Sequence, residues 1–331
     1  MSKAAELANL IGNINMGGGG TNRNVIINGA MNVAQRGTSS TGLGASAGYF
    51  TVDRFRMDSG STAGRYTMTQ DSSAPSGFAN SIKLACTTAD TSIASGEYLI
   101  LQQKLEGQNL QGFAKGTSDA KPFAVSFYVK GNASATYVAE LYDNDNTRQV
   151  SKSFTVGTDW ARVELSFPAD TTGAFDDDNA FSLQLQIWLH SGSSYTSGTL
   201  SETWTSVTET NRAVGISSFF DSTDRTFFIT GVQVEVGQNP TEFEHEPFGV
   251  TQEKCHRYFY QTTNQHYGSY GEYNAAGYDN IQFPTDMRAI PTATKGSGSQ
   301  TIQNRSIRRV DIYVVNAYPS MPDDSTFDAE L

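Results

Sequence analysis

The sequence predicts an all-β protein: an antiparallel β-sandwich of jelly-roll type, with a short N-terminal helix and a smaller β-rich C-terminal domain. Three observations carry this. Runs with period-two alternation, rich in β-branched and aromatic residues, recur at short intervals with turn residues between them. Charged residues make up only 17% of the 331 and glycine numbers 31, a balance suited to many turns and few long helices. No strand–helix alternation is sustained, which sets aside a parallel sheet.

Residues 1–23 read as an attachment segment. In Ser2–Ile11 the side chains Leu7, Leu10 and Ile11 share one helical face, and Ser2 is placed to cap it. So short a helix is marginal in water, so it is expected to dock on a neighbour, tethered by Gly17–Gly20. A frayed terminus is the alternative.

Residues 24–238 read as the sandwich. Val25–Ile27 is expected to be a strand entering an Asn28-Gly29 turn, and Tyr49–Phe55 another. Residues 37–48 are loop. Further strands are expected near Arg65–Gln70, Ser81–Cys86, Tyr98–Leu105, Phe123–Lys130, Thr136–Tyr142, Gln149–Val156, Ala161–Phe167 and Phe181–Leu189. Leu110 and Phe113 mark one helical turn. Phe123–Lys130 joined to Thr136–Tyr142 through Gly131-Asn132, and then to the next strand through Asp143–Asn146, predicts two hairpins in one meander. The closing strand, Thr226–Val236, is the seam of the chain. Alternation puts Phe228, Thr230, Val232, Val234 and Val236 on a core-lining face, with Phe227, Ile229, Gln233 and Glu235 opposite. Residues 191–224 hold no convincing long strand, and a loop-borne site is expected in this insertion.

Residues 239–331 read as a linker and a small β-rich domain. Asn239-Pro240 punctuates the loop, Val250–Tyr260 reads as a helical turn or two, and Arg305–Val315 as a final hairpin. Tyrosines 258, 260, 267, 270, 273 and 278 follow closely. At roughly 80 residues this core is thin, so Tyr258 and Tyr260 are expected to serve assembly, as Leu7, Leu10 and Ile11 do at the other end.

The formal net charge of -11 opposes nucleic acid and anionic membrane surfaces as partners. No apolar run approaches the roughly 20 residues a spanning helix needs, so no membrane insertion is expected. The N-terminus lacks the pattern of a secretory signal. Cys86 and Cys255 are expected to be two buried thiols rather than a disulfide framework.

Chemistry is sparse. Asp143-Asn-Asp-Asn146 opens like a calcium loop, but the sixth and twelfth positions are Arg148 and Phe154 where glycine and glutamate are needed. A hairpin turn explains it. Asp176–Asp178 reads as a solvated turn whose carboxylates could hold a hard cation. Glu242, Glu244 and Glu246 flank His245 in what reads as a charged linker. No nucleophile elbow, phosphate-binding loop or zinc spacing is present, and no carboxylate pair stands out for glycoside cleavage. The expectation is no enzyme, no cofactor and no metal. Aromatics remain. Trp188, Tyr195 and Trp204 are the candidate glycan contacts, because exposed rings take the apolar C–H faces of sugars. Core packing is the alternative for each, foremost for Trp188, and Trp160 is expected inside.

The stretches Gly157-Thr-Asp-Trp-Ala-Arg-Val-Glu-Leu-Ser-Phe-Pro168 and Phe228-Ile-Thr-Gly-Val-Gln-Val-Glu-Val-Gly237 resemble the β-sandwich of carbohydrate-binding modules. Met1–Ile11, Asn24–Gly37, Phe113–Phe123, Thr241–His245, Cys255–Tyr260 and Phe327–Leu331 resemble tail-fibre-type proteins of marine and cyanobacterial tailed phages. This resemblance implies a virion structural protein assembled in the host cytoplasm, a homotrimer joined to tail or baseplate proteins through its N-terminus and touching host-surface polysaccharide. A capsid decoration or neck component of the same fold, and a polysaccharide depolymerase, are the alternatives. The long shaft of extended fibres is missing, and the resemblance carries over no catalytic residue.

Overall fold

The computed structural model describes residues 3–4, 7–8, 22–262, 265–266, 277–296, 301–314 and 322–331. It divides into two units, Met1–His245 and Glu246–Leu331. No helix among the described residues is long and apolar enough to cross a membrane.

The first unit is a two-sheet sandwich. Its strands are β1 Ser39–Leu43, β2 Gly48–Tyr49, β3 Arg56–Gly60, β4 Arg65–Asp71, β5 Ser81–Thr88, β6 Tyr98–Glu106, β7 Phe123–Gly131, β8 Ala135–Asp143, β9 Arg148–Val156, β10 Ala161–Phe167, β11 Phe181–Ser191, β12 Thr205–Ser206 and β13 Thr226–Val236. One sheet runs β1-β4-β5-β13-β7-β10 and the other β12-β9-β8-β11-β6-β3-β2, with antiparallel neighbours throughout. This is a jelly-roll sandwich, as the strand pattern predicts. Alternation builds its core. Leu183, Leu185, Ile187 and Leu189 of β11 point inward beside Leu101 and Leu105 of β6, and meet Val125, Phe127 and Val129 of β7. Two 3₁₀ turns, Gly107–Asn109 and Gln111–Phe113, seat Leu110 and Phe113 in that core.

Two pairing expectations are corrected. The β8–β9 hairpin forms through Asp143–Asn146. β7 and β8 do not pair: β7 lies between β13 and β10, while β8 lies in the opposite sheet. Residues 132–134 therefore cross between sheets, and a short Gly-Asn connection serves a crossover as readily as a hairpin. The seam strand holds the second correction. Gly231 takes φ +62° and the β13–β7 register slips between Thr230 and Gln233. This bulge resets the parity. Phe227 and Ile229 before it and Val232 and Val234 after it all enter the core. Phe228 turns outward, against Trp160 at 6.1 Å and with the Lys130 ammonium 4.8 Å over its ring. Trp160 is half-buried on this outer face and does not enter the core. A Cβ at position 231 would lie 2.8 Å from Phe78 and 2.9 Å from Tyr128. Gly231→Ala is expected to lower stability by about 1–2 kcal/mol, read as a drop in the denaturation midpoint at constant m-value.

Asn24–Gly29 is a laced loop rather than a strand. Asn28 Nδ2 donates to the carbonyls of Val33 and Asp53, and its Oδ1 accepts the N–H groups of Asn32 and Val33. Of the expected strand at 49–55 only Tyr49 lies in a sheet, at the end of β2, and the expected loop at 37–48 holds β1. Arg54, at φ +71°, turns the chain and donates to the Lys104 carbonyl at 2.8 Å. The expected charged linker also packs on the first unit: the Glu244 carboxylate accepts the N–H groups of Asn22, Arg23 and Asn24. Thr241 bonds the buried Glu235 carboxylate.

The second unit begins with the helix Phe248–His256. Its strands are β14 Phe259–Gln261, β15 Gln265–His266, β16 Gly277–Gln282, β17 Thr292–Thr294, β18 Thr301–Arg305, β19 Arg309–Val314, β20 Pro322–Asp323 and β21 Thr326–Asp328. They form the sheets β14-β21-β17, β15-β20 and β16-β19-β18, the last including the expected hairpin. Ile281, Phe283, Met287, Val310, Ile312 and Phe327 make its core. Tyr260 packs there at 5.9 Å from Phe283, and Tyr258 is buried. Leu7 is exposed in a helical stretch, while Leu10, Ile11, Tyr267, Tyr270 and Tyr273 lie outside the described residues. Cys86 and Cys255 are both buried thiols.

Candidate functional site

The outer face of the seven-stranded sheet is polar and carries a continuous hydrogen-bonded row. Register fixes its members. Gln186 of β11 lies opposite Gln102 of β6 on one side and Glu140 of β8 on the other, and Gln102 lies opposite Arg56 of β3. One step along, Gln184 faces Lys104 and Tyr142; in the other direction Trp188 faces Ile100 and Val138. In Phe181-Ser-Leu-Gln-Leu-Gln-Ile-Trp188 the leucines and Ile187 fill the core, so the two glutamines and the tryptophan must share this outer face.

The row is bonded end to end. Gln186 Nε2 donates to Gln184 Oε1 at 2.7 Å and to Gln102 Oε1 at 3.3 Å. Gln102 Nε2 reaches Asp58 Oδ2 at 3.4 Å, and Arg56 pairs with that same oxygen at 2.7 Å. From the insertion, Arg212 lays its guanidinium across the row. Its Nε donates to Glu140 Oε1 at 3.0 Å, and its Nη2 to Glu140 Oε2 at 3.0 Å and Gln186 Oε1 at 3.1 Å. The same group lies 4.9 Å over the Trp188 ring and 5.0 Å over Tyr142. The Trp188 indole N–H completes Glu140 at 2.7 Å. Burial raises the pKa of the Glu140 carboxyl, and Arg212 and the indole act against that rise. Arg212 is itself held above its ordinary range, burial being outweighed by the Glu140 and Glu209 carboxylates.

Aromatic rings fence the row. Tyr195 lies 5.2 Å from Trp188 and 5.7 Å from Tyr98, all three on this face. Tyr98, Tyr142 and Tyr195 are half-exposed, and burial raises the pKa of each hydroxyl. The face is thus a floor of amides and a guanidinium with half-exposed rings around it. Across β3, β6, β11 and β8 it spans three strand gaps, roughly 14 Å.

The sequence-predicted residues divide accordingly. Trp188 belongs to the face but is 1% exposed, beneath Arg212 and Tyr195; it supports the floor and its ring is not a contact surface. Tyr195 stands at the edge. Trp204 is elsewhere: its indole donates to the Pro168 carbonyl at 2.8 Å and its ring packs 5.6 Å from Phe123 against the main core. Sequence reasoning missed Tyr98, Gln102, Tyr142, Gln184, Gln186 and Arg212. The signal for three of them was the Leu-Gln-Leu-Gln alternation of β11 and the register partner that any glutamine there must have.

The calcium-like stretch is otherwise engaged. Lys115 Nζ lies 2.6 Å from Asp143 Oδ2 and 3.1 Å from Asp170, with the carbonyls of Thr172 and Gly173 at 3.0 and 2.7 Å. A buried ammonium occupies the place of a cation in that cage. Asp145 accepts the Asp176 N–H and Asp178 that of Ala180, so these carboxylates shape a turn.

No family model matches the chain, and no curated protein matches it by sequence. Among solved structures, a family 4 carbohydrate-binding module aligns over 63% of this chain and 97% of its own, at 10% identity and TM-score 0.33. A family 11 carbohydrate-binding module from Clostridium thermocellum, in complex with a mixed-linked tetrasaccharide, aligns over 63% and 98% at 12% identity and TM-score 0.30. The enzymatically active domain of tailspike protein 4 of bacteriophage CBA120 aligns over 65% of this chain and 21% of that one, at 12% identity and TM-score 0.32. The jelly-roll assignment itself rests on the strand order given above.

Proposed function

We propose that the chain is a non-catalytic glycan-binding protein whose outer seven-stranded face takes a hydroxyl-rich oligosaccharide. The fenced face carries the reading. Gln102, Gln184 and Gln186 are buried and bonded to one another, a polar floor that holds the sheet face in register. Around it the half-exposed Tyr98, Tyr142 and Tyr195 offer ring surface to sugar C–H patches and hydroxyls to sugar oxygens. On the resemblance of its N-terminal and C-terminal stretches, we place the protein on the tail of a phage, as a homotrimeric short fibre or adaptor whose ligand is a host-surface polysaccharide.

The test is calorimetric titration of the full chain with β-glucan, xylan and β-galactan oligosaccharides. Tyr98→Ala and Tyr142→Ala are each expected to weaken the tightest ligand by about tenfold or more, the loss of one stacking contact. Trp160→Ala, on the opposite sheet, leaves the affinity unchanged. Equal affinities for wild type and both face variants would refute the proposed site.

A further inference from the structure

We infer that Asp90, Glu97 and His190 form a binding site for a first-row divalent cation, zinc foremost, that clamps the neck of the 191–224 insertion. One nitrogen and two carboxylate oxygens from these residues lie within 4.8 Å of one another, and all three side chains are buried. None is near another His in sequence, so no zinc spacing shows along the chain.

Charge and orientation both point to a cation. Asp90 is 5% exposed, Glu97 5% and His190 0%. Among the described residues, no Lys or Arg forms an ion pair with either carboxylate, and the imidazole is the basic partner of Glu97. Even a protonated imidazole leaves the cluster one negative charge in excess, and buried charge is ordinarily paired or metal-bound. The ring is aimed as a ligand. Its Nδ1 lies 2.8 Å from Ser218 Oγ, an outer partner of the kind that fixes the tautomer of a ligating histidine. Its Nε2 then faces Glu97 Oε2 at 3.3 Å. With the proton on Nδ1, lone pair faces lone pair across that gap, and a cation between them relieves the repulsion. Asp90 is held in place by Thr62 Oγ1 at 3.0 Å and the Ala63 N–H at 2.8 Å on Oδ2. A nitrogen with two carboxylates suits zinc better than the all-oxygen shell calcium prefers.

Position gives the site a role. His190 is the penultimate residue of β11, just before the insertion leaves, and Ser218 and Phe220 stand where it returns: Phe219 N–H bonds the Leu189 carbonyl, and Asp90 N–H that of Phe220. Glu97 precedes Tyr98 of the fenced face, and its carbonyl accepts the Gly192 N–H. A cation here would tie both roots of the arch that carries Tyr195 and Arg212.

The experiment uses the full chain, stripped with chelator and titrated with Zn²⁺, Ca²⁺ or Mg²⁺ by calorimetry and thermal unfolding. Zinc is expected to bind one per chain and, at a hundredfold excess over its Kd, to raise Tm by roughly 5–10 °C. Glu97→Gln and His190→Gln are expected to lose that rise. Glu97→Gln removes the excess charge and stays folded, so it separates lost binding from lost structure. Co²⁺ in place of zinc would give the absorption of a four-coordinate nitrogen–oxygen site, which Glu97→Gln lacks. No cation binding by wild type, or equal zinc binding by Glu97→Gln, would overturn the inference, and the cluster would then hold only a proton. Because metal binding is read without any sugar, this outcome is independent of the glycan reading.

Discussion

Replacing Arg212 with Ala is expected to destabilise the first unit by about 3–5 kcal/mol and to abolish glycan binding. The magnitude follows from what is left behind. Glu140 is fully buried and keeps only the Trp188 indole N–H once the guanidinium is gone. Removing one partner of a buried ion pair costs about this much, because the other charge is stranded out of water. Gln186 also loses its guanidinium donor, and the insertion loses the side chain that ties it to the sheet. Arg212→Lys keeps the charge but not the two-pronged geometry on Glu140, so it should fall between wild type and Ala. Pairing Arg212→Met with Glu140→Gln removes both charges together and should recover much of the lost stability without restoring binding. Urea denaturation of wild type and the three variants measures the first part and sugar titration the second. Equal stabilities for wild type and Arg212→Ala would show that Arg212 does not hold the insertion.

Lys115→Met is expected to cost a similar amount, about 3–5 kcal/mol, without touching the residues of the proposed binding face. Its ammonium is fully buried between Asp143 and Asp170. Burial alone would raise the Asp170 pKa, but bonds from Arg148, the Thr172 N–H and Lys115 outweigh it and hold the carboxyl below the ordinary range. The sign follows by linkage. A carboxyl with a depressed folded-state pKa contributes stability that is fully present above its unfolded pKa, near 3.9, and is lost as pH falls through the folded value. In Lys115→Met that depression shrinks, so acid unfolding should begin at higher pH than in wild type. Circular dichroism followed from pH 7 to pH 2 reads this directly, and superimposable acid transitions would contradict the assignment.

The strands of the sandwich were legible because alternation is a one-dimensional signal. Nine of the expected runs, from Arg65–Gln70 to Thr226–Val236, coincide with β4 to β11 and β13. Pairing was less legible. Gly131-Asn132 looks like a hairpin turn, yet it joins strands of opposite sheets, and only the whole topology decides between the two. Gly231 was readable as a bulge signal, but its consequence, the outward Phe228 and Trp160, depends on which side of the slip the core lies. The site was the least legible part. A search for aromatics on loops reached Tyr195 and also the core-packed Trp204, because a ring's exposure is set by what folds over it. The amide row needs strand register to bring Gln102, Gln186 and Glu140 abreast, and Arg212 arrives from a loop 26 residues after Gln186.

The central claim is that sugar binds on the outer face of the seven-stranded sheet. The most direct measurement is a crystal structure of the full chain with its tightest oligosaccharide. The expected result is sugar rings lying across β6 and β11, with ring faces against Tyr98, Tyr142 or Tyr195. Sugar bound instead beside Trp160 and Phe228 on the six-stranded sheet, or at the Trp204 end of the sandwich, would contradict it.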